Sequence, residues 1–107
     1  MSTANVAQIL NFTEMVSYQD GSVVSRQITK ADAGNVTLFA FDAGQGLSEH
    51  TAPFDALVQV IEGKAEIIIA GKSFVLNAGD AIIMPAHQSH ALKAPERFKM
   101  LLTMIRS

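Results

Sequence analysis

The spacing of its breakers limits this chain more than any other feature. Short apolar runs recur throughout: SVVSRQI (22–28), NVTLFAF (35–41), ALVQVIE (56–62), AEIIIA (65–70), SFVL (73–76), AIIM (81–84), HALK (90–93) and FKMLLTMI (98–105). Between them stand ADAG (31–34), DAGQG (42–46), EG (62–63), GK (71–72), NAGD (77–80), PAHQ (85–88) and APE (94–96). Runs this short, with a turn signal every roughly eight to twelve residues, predict eight strands in an all-β sandwich or barrel. The AGK turn at 70–72 predicts a tight hairpin. A helical period occurs only near the start, where Val6, Ile9 and Leu10 share a face, so at most a short N-terminal helical turn is expected.

AEIIIA and MLLTMI are apolar on both faces, whereas a strand with one wet face alternates. In a domain of 107 residues one face fills the barrel, so the other is expected to meet a second chain. Leu57 and Ile61, in the outward phase, belong to that surface, and the expectation is a homodimer. The strand near 22–30 mixes valines with polar residues and is expected to reach across to the partner's sheet edge.

Composition excludes several classes of function. A length of 107 residues fits one domain, with the N-terminal segment at 1–20, and 49% hydrophobic residues support a core. The net charge of −2 comes with scattered Lys and Arg, not the basic stripe that nucleic-acid binding needs. The absence of cysteine removes disulfides, thiolate metal sites and cysteine nucleophiles together. The start, MSTANVAQIL, lacks a basic n-region and a long apolar core, and no run of about 18 apolar residues occurs. A soluble cytoplasmic protein without membrane contact is expected.

Three histidines, His50, His87 and His90, fall at strand starts or turns, where a polar turn role is the ordinary one. Gly63 and Gly79 sit in turns where positive φ is accessible at little cost only to glycine. Pro85 ends a strand and stiffens the turn that presents His90. His87, one of the residue types that tolerate the left-handed region, reads as part of that turn.

At these positions the chain resembles the cupins. Their first motif runs Gly, five residues, His-x-His, three or four residues, Glu, six residues, Gly. This chain has Gly44, five residues, His50-Thr51-Ala52, three residues, Ala56, six residues, Gly63. The second motif runs Gly, five residues, Pro-x-Gly, two residues, His, three residues, Asn. Here it is Gly79, five residues, Pro85-Ala86-His87, two residues, His90, three residues, Ala94. The resemblance covers about 34–105 and implies a cupin double-stranded β-helix, the jelly-roll barrel, spanning 1–107 as a single domain.

In cupins two histidines and a glutamate of the first motif, with the histidine of the second, hold a divalent metal. Carried over, His50 and His90 remain, and Ala52 and Ala56 replace a histidine and the glutamate. The resemblance thus implies a Mn, Fe, Ni or Zn site at His50 and His90 that is incomplete, since a catalytic metal usually has three protein ligands and an open position. Of the bystanders Gln59, Asp55, His87 and Met84, Asp55 and Gln59 face away from His50 by strand parity, and methionine suits a soft metal.

The alanines leave an apolar barrel mouth. Phe41, Phe54, Met100 and Met104 lie near it, as lining or as core filler. Apolar walls with two imidazoles at one end fit a small-molecule site formed by His50, His90, Ala52, Ala56, Phe41, Phe54 and Met100. The leading expectation is a small-molecule-binding protein. The alternative is a metal-dependent, dioxygenase- or isomerase-like enzyme, or a metal-free one using a histidine as acid or base. Against catalysis, no motif carboxylate orients either imidazole, and Glu49 lies on the face opposite His50. A third reading leaves the site vestigial and assigns the function to the dimer surface.

Overall fold

In chain order the elements are helix α1 (Phe12–Met15) and strands β1 (Val23–Ala31), β2 (Gly34–Phe41), β3 (Gly46–His50), β4 (Asp55–Ile69), β5 (Lys72–Asn77), β6 (Ala81–Met84), β7 (His90–Lys93) and β8 (Phe98–Ile105). They come from a computed structural model that describes residues 5–106. All pairing is antiparallel, in two sheets that share β4. One sheet runs β1-β2-β8-β4-β6 and the other β3-β7-β4-β5. This is the expected all-β jelly roll, with the strands divided differently.

The difference centres on β4, a single strand of 15 residues where two were expected at 56–62 and 65–70. The EG pair bends the strand without ending it. A register shift between Val60 and Glu62 inserts an extra residue, and Gly63 takes φ 81°. A bulge of this kind reverses the side-chain alternation, so Ala56, Val58 and Val60 point inward before it and Ala65, Ile67 and Ile69 after it. The first half pairs β6 and β8 and the second pairs β5 and β7, so β4 carries the chain from one sheet to the other. Only glycine fits at 63, because a Cβ there would lie 1.9 Å from the Arg97 carbonyl oxygen. The expected hairpin at 70–72 is a type I′ turn, with φ 49° at Ala70 and 81° at Gly71.

Strand β3 lies between the DAGQG breaker and the run at 56–62, where no strand was assigned. Its sequence GLSEH is largely polar and exposed, as suits an edge strand, and offers no run of alternating apolar residues to read. Between the sheets lies the main core, which includes Phe41, Val58, Ile67, Leu92, Phe98 and Met100. Phe41 and Phe98 stack at its centre with ring centroids 4.4 Å apart.

A second core lies on the outer face of the β2–β8–β4 sheet and accounts for the two-sided strands. Leu38, Ala40 and Ile28 are buried there under Val16, with Phe12, Met15, Tyr18, Ile61 and Leu101 packed around them. Ile61, assigned above to a partner surface, is instead covered by the chain's own N-terminal segment. The segment is tied down by polar bonds. Lys99 Nζ donates to the Thr13 carbonyl at 2.6 Å, Arg26 to the Met15 carbonyl at 3.2 Å, and Tyr18 O–H to Glu62 at 2.5 Å. Arg97 bridges Asp42 and Asp20 at its far end.

The helical turn falls at Phe12–Met15 and not at 6–10. Ala7 has φ 58°, outside helical backbone, and Ile9 is fully exposed, whereas Phe12 and Met15, three apart, share the face that meets the sheet. Strand β1 pairs with the chain's own β2 over its whole length and stands at the end of the sheet, its other edge without a strand among the described residues. Leu57 is half-buried and stands directly opposite Ile83, which is 60% exposed. Among the described residues no helix is long and apolar enough to cross a membrane.

Candidate functional site

His50 and His90 are brought together by a second bulge. β3 and β7 pair Leu47 with Leu92 and His50 with His90, three residues on one strand against two on the other. The extra residue puts Leu47 and His50 on the same inward side, where strict alternation would oppose them. His50 Nδ1 lies 2.7 Å from the Ser48 carbonyl, and its Nε2 lies 3.0 Å from His90 Nε2. The rings meet edge to face, with centroids 4.3 Å apart. His50 is exposed at the sheet edge; His90 is only 5% exposed.

A carbonyl only accepts, so His50 Nδ1 carries a proton. In the neutral pair His50 Nε2 is then an acceptor, and His90 Nε2–H donates to it. His90 Nδ1 is left with a lone pair, and it is buried without a hydrogen-bond partner. Burial, and then the neighbouring His50, push the His90 pKa below the ordinary histidine value. The Gln88 main chain acts in the opposite sense, without good hydrogen-bond geometry to Nδ1. Both forces favour a neutral imidazole.

The two rings close the polar end of a largely enclosed cavity of about 190 Å³. Ala52, Ala56 and Met100 line it, as does Met104. So do Phe39, Leu47, Met84, Leu92 and Leu102, which the sequence reading did not assign to its walls. Parity held the signal for two of these: Phe39 shares the phase of Phe41 and is the cross-strand partner of Met100, and Leu102 lies between Met100 and Met104 in the same phase.

Two candidates fall outside the cavity. Phe41 is fully buried two residues further along β2, stacked on Phe98 in the core. Phe54 lies in a separate recess with Lys30, Asn35 and Met104, its ring under the Arg106 guanidinium at 5.0 Å. The β3–β4 loop turns it away from the histidines.

The remaining polar residues of the motifs build the turn. His87 has φ 68°, the left-handed conformation expected at the glycine slot, and its N–H donates to the Ala52 carbonyl at 2.8 Å. Asp55 accepts from the Ala86 N–H at 2.9 Å, which latches the 85–88 turn to the start of β4. Neither reaches the histidine pair as a ligand. Among the described residues no three His, Cys, Asp or Glu side chains are grouped to hold a metal ion. The donor set is two imidazoles bonded to each other in apolar walls, with no carboxylate to balance a divalent charge, and it does not fit a catalytic metal.

The cupin-domain family matches residues 37–105. Among solved structures, a conserved protein of unknown function from Streptococcus pyogenes is 35% identical, with a TM-score of 0.89 over 94% of this chain and 89% of that one. A cupin superfamily protein from Desulfitobacterium hafniense is 27% identical, with a TM-score of 0.88 over 94% of this chain and 93% of that one. A cupin 2 conserved barrel domain protein from Leptotrichia buccalis is 36% identical, with a TM-score of 0.88; the match covers 91% of this chain and 47% of that one. No curated protein matches the sequence. The match to the family over most of the chain, together with the jelly roll and its paired histidines, makes this protein a member of the cupin superfamily.

Proposed function

We propose that this cupin binds a small organic molecule in the cavity capped by His50 and His90. One observation carries the reading: about 190 Å³ of enclosed, almost wholly apolar space ends in two imidazoles, where the motif would have put two more ligands. A pocket of apolar walls with a few convergent polar groups is the usual form of a small-molecule site. The size suits a single ring, since an aliphatic-lined cavity of roughly 150 Å³ takes up benzene. Ala52 and Ala56 make the space; His50 and His90 orient the occupant.

The chain's methionines supply the test. Met84, Met100 and Met104 line the cavity, and Met15 packs in the second core. With methionine methyls labelled with carbon-13, one-ring fragments are expected to shift the three cavity signals and leave Met15 in place. Ala56→Leu, which fills the space, should abolish the shifts. Fragments that perturb only Met15, or no methionine, would refute the reading.

We further propose a homodimer, on narrower grounds than the sequence suggested. Ile83 and Leu57 form an outward apolar pair, and Val75 and Ile105 are also more than half exposed. Sedimentation at micromolar concentration should give twice the 11.5 kDa chain mass. A clean monomer would end the proposal.

A further inference from the structure

The hydrogen-bond roles of the histidine pair select a functional group for the ligand. We infer that the cavity takes a neutral molecule of about one ring bearing a hydroxyl group, which inserts between His50 and His90. The inference rests on the cavity reading above and adds the chemistry of the polar end.

Ser48 fixes the protons. Its carbonyl holds the His50 Nδ1–H, so His50 Nε2 offers a lone pair and His90 Nε2 offers a proton. The cavity therefore presents one donor and one acceptor side by side, bonded to each other until something replaces that bond. A hydroxyl can do both at once: its oxygen accepts from His90 Nε2–H and its own proton goes to His50 Nε2. Two such bonds of about 2.8 Å meeting at oxygen span roughly 4.5 Å between the nitrogens. The rings must part from 3.0 Å, and His50 is the one to move, being exposed on an edge strand while His90 is buried.

Other groups match worse. An ether or carbonyl accepts from His90 and gives nothing to His50. A carboxylate also only accepts, and would carry its charge into apolar walls, where an unpaired charge is costly. An ammonium only donates. A plain hydrocarbon fits the walls and leaves the pair untouched. A single hydroxyl trades one imidazole–imidazole bond for two, and the unpartnered Nδ1 of His90 plays no part in the exchange.

The test is calorimetric titration of the purified protein with phenol, anisole, toluene and benzoate, which share one ring and differ at one group. Phenol is expected to bind about tenfold or more tightly than anisole or toluene, and benzoate weakest, one additional satisfied hydrogen bond being sufficient for that margin. In His90→Phe the preference for phenol over toluene should disappear while toluene still binds. His50→Phe should reduce the same preference, because the acceptor is gone. Toluene binding with no advantage for phenol, or anisole equal to phenol, would overturn the hydroxyl inference and leave the cavity reading standing. If none of the four binds, the cavity reading fails, and this inference with it.

Discussion

The two sides of the β2–β8–β4 sheet treat buried polar groups in opposite ways. On the outer side, under the N-terminal segment, they are paired. Lys99, 8% exposed, donates to the Thr13 carbonyl and lies 3.8 Å from Glu62, which also accepts from Tyr18. Burial first, and then the Glu62 bond, push the Tyr18 hydroxyl well above the ordinary tyrosine value, so it stays a donor. On the inner side, His90 is buried with one nitrogen unpartnered, beside empty space. A buried polar group without a partner costs roughly 1–3 kcal/mol, a cost a purely structural core avoids. The outer side satisfies its buried polar groups within the chain, and the inner side leaves a cavity beside a buried imidazole with one nitrogen unpartnered.

The sharpest way to break the comparison is to cut the outer tie. Tyr18→Ala removes the ring that packs in the second core and carries the hydroxyl bonded to Glu62. A loss of about 2–3 kcal/mol is expected. Tyr18→Phe, which keeps the ring, should lose about 1 kcal/mol. Urea unfolding of both variants measures the difference; no loss in Tyr18→Phe would deny the hydroxyl its role, and equal losses would deny the ring its own.

One substitution made on each side should give opposite signs. Ala40 is fully buried under the N-terminal segment in the cluster of Val16, Ile28 and Leu38, and Ala40→Leu should destabilise by about 1–3 kcal/mol through overpacking. Ala56→Leu grows into the cavity and should stabilise by about 0.5–1 kcal/mol. Thermal melts of the pair decide it, and a large loss for Ala56→Leu would mean that the space is not free.

The smallest effect belongs to His90. Replacing it with Phe removes an unpaired buried acceptor and should be neutral or stabilising by about 1 kcal/mol. It should also flatten part of the pH profile. Because the folded pKa of His90 is depressed, the unfolded chain binds more protons as pH falls below the ordinary value near 6.5. The stabilising contribution is complete above that value and is lost as pH falls toward the folded pKa. Urea midpoints from pH 5 to 8 should fall toward acid more steeply for the parent than for His90→Phe. A parallel pair of profiles would contradict the assignment.

The sequence carried the architecture and half of the site. Breaker spacing predicts the all-β fold, and motif spacing pairs His50 with His90 because backbone needs, such as φ 81° at Gly63 and 68° at His87, are written in residue type. What spacing could not carry was phase. The bulges in β3 and β4 each shift the alternation by one residue, so parity counted through them misplaces side chains. Phe54 was taken for the cavity because nothing in its neighbourhood records the turn of the β3–β4 loop. The N-terminal segment was illegible for another reason: Phe12, Val16 and Tyr18 contact residues far along the chain, and no local period announces such contacts.

The central claim is that the space beneath His50 and His90 receives an organic molecule and not a metal ion. Thermal melts of the parent and of Ala56→Leu, with toluene or phenol near saturation and separately with Mn, Fe, Ni or Zn, test it most directly. A ligand that binds only the folded state raises the melting temperature by mass action. The parent should be raised by the ring compounds and little moved by any metal, and Ala56→Leu should respond to neither. A large, stoichiometric metal-induced rise in the parent, with no response to the ring compounds, would contradict the account.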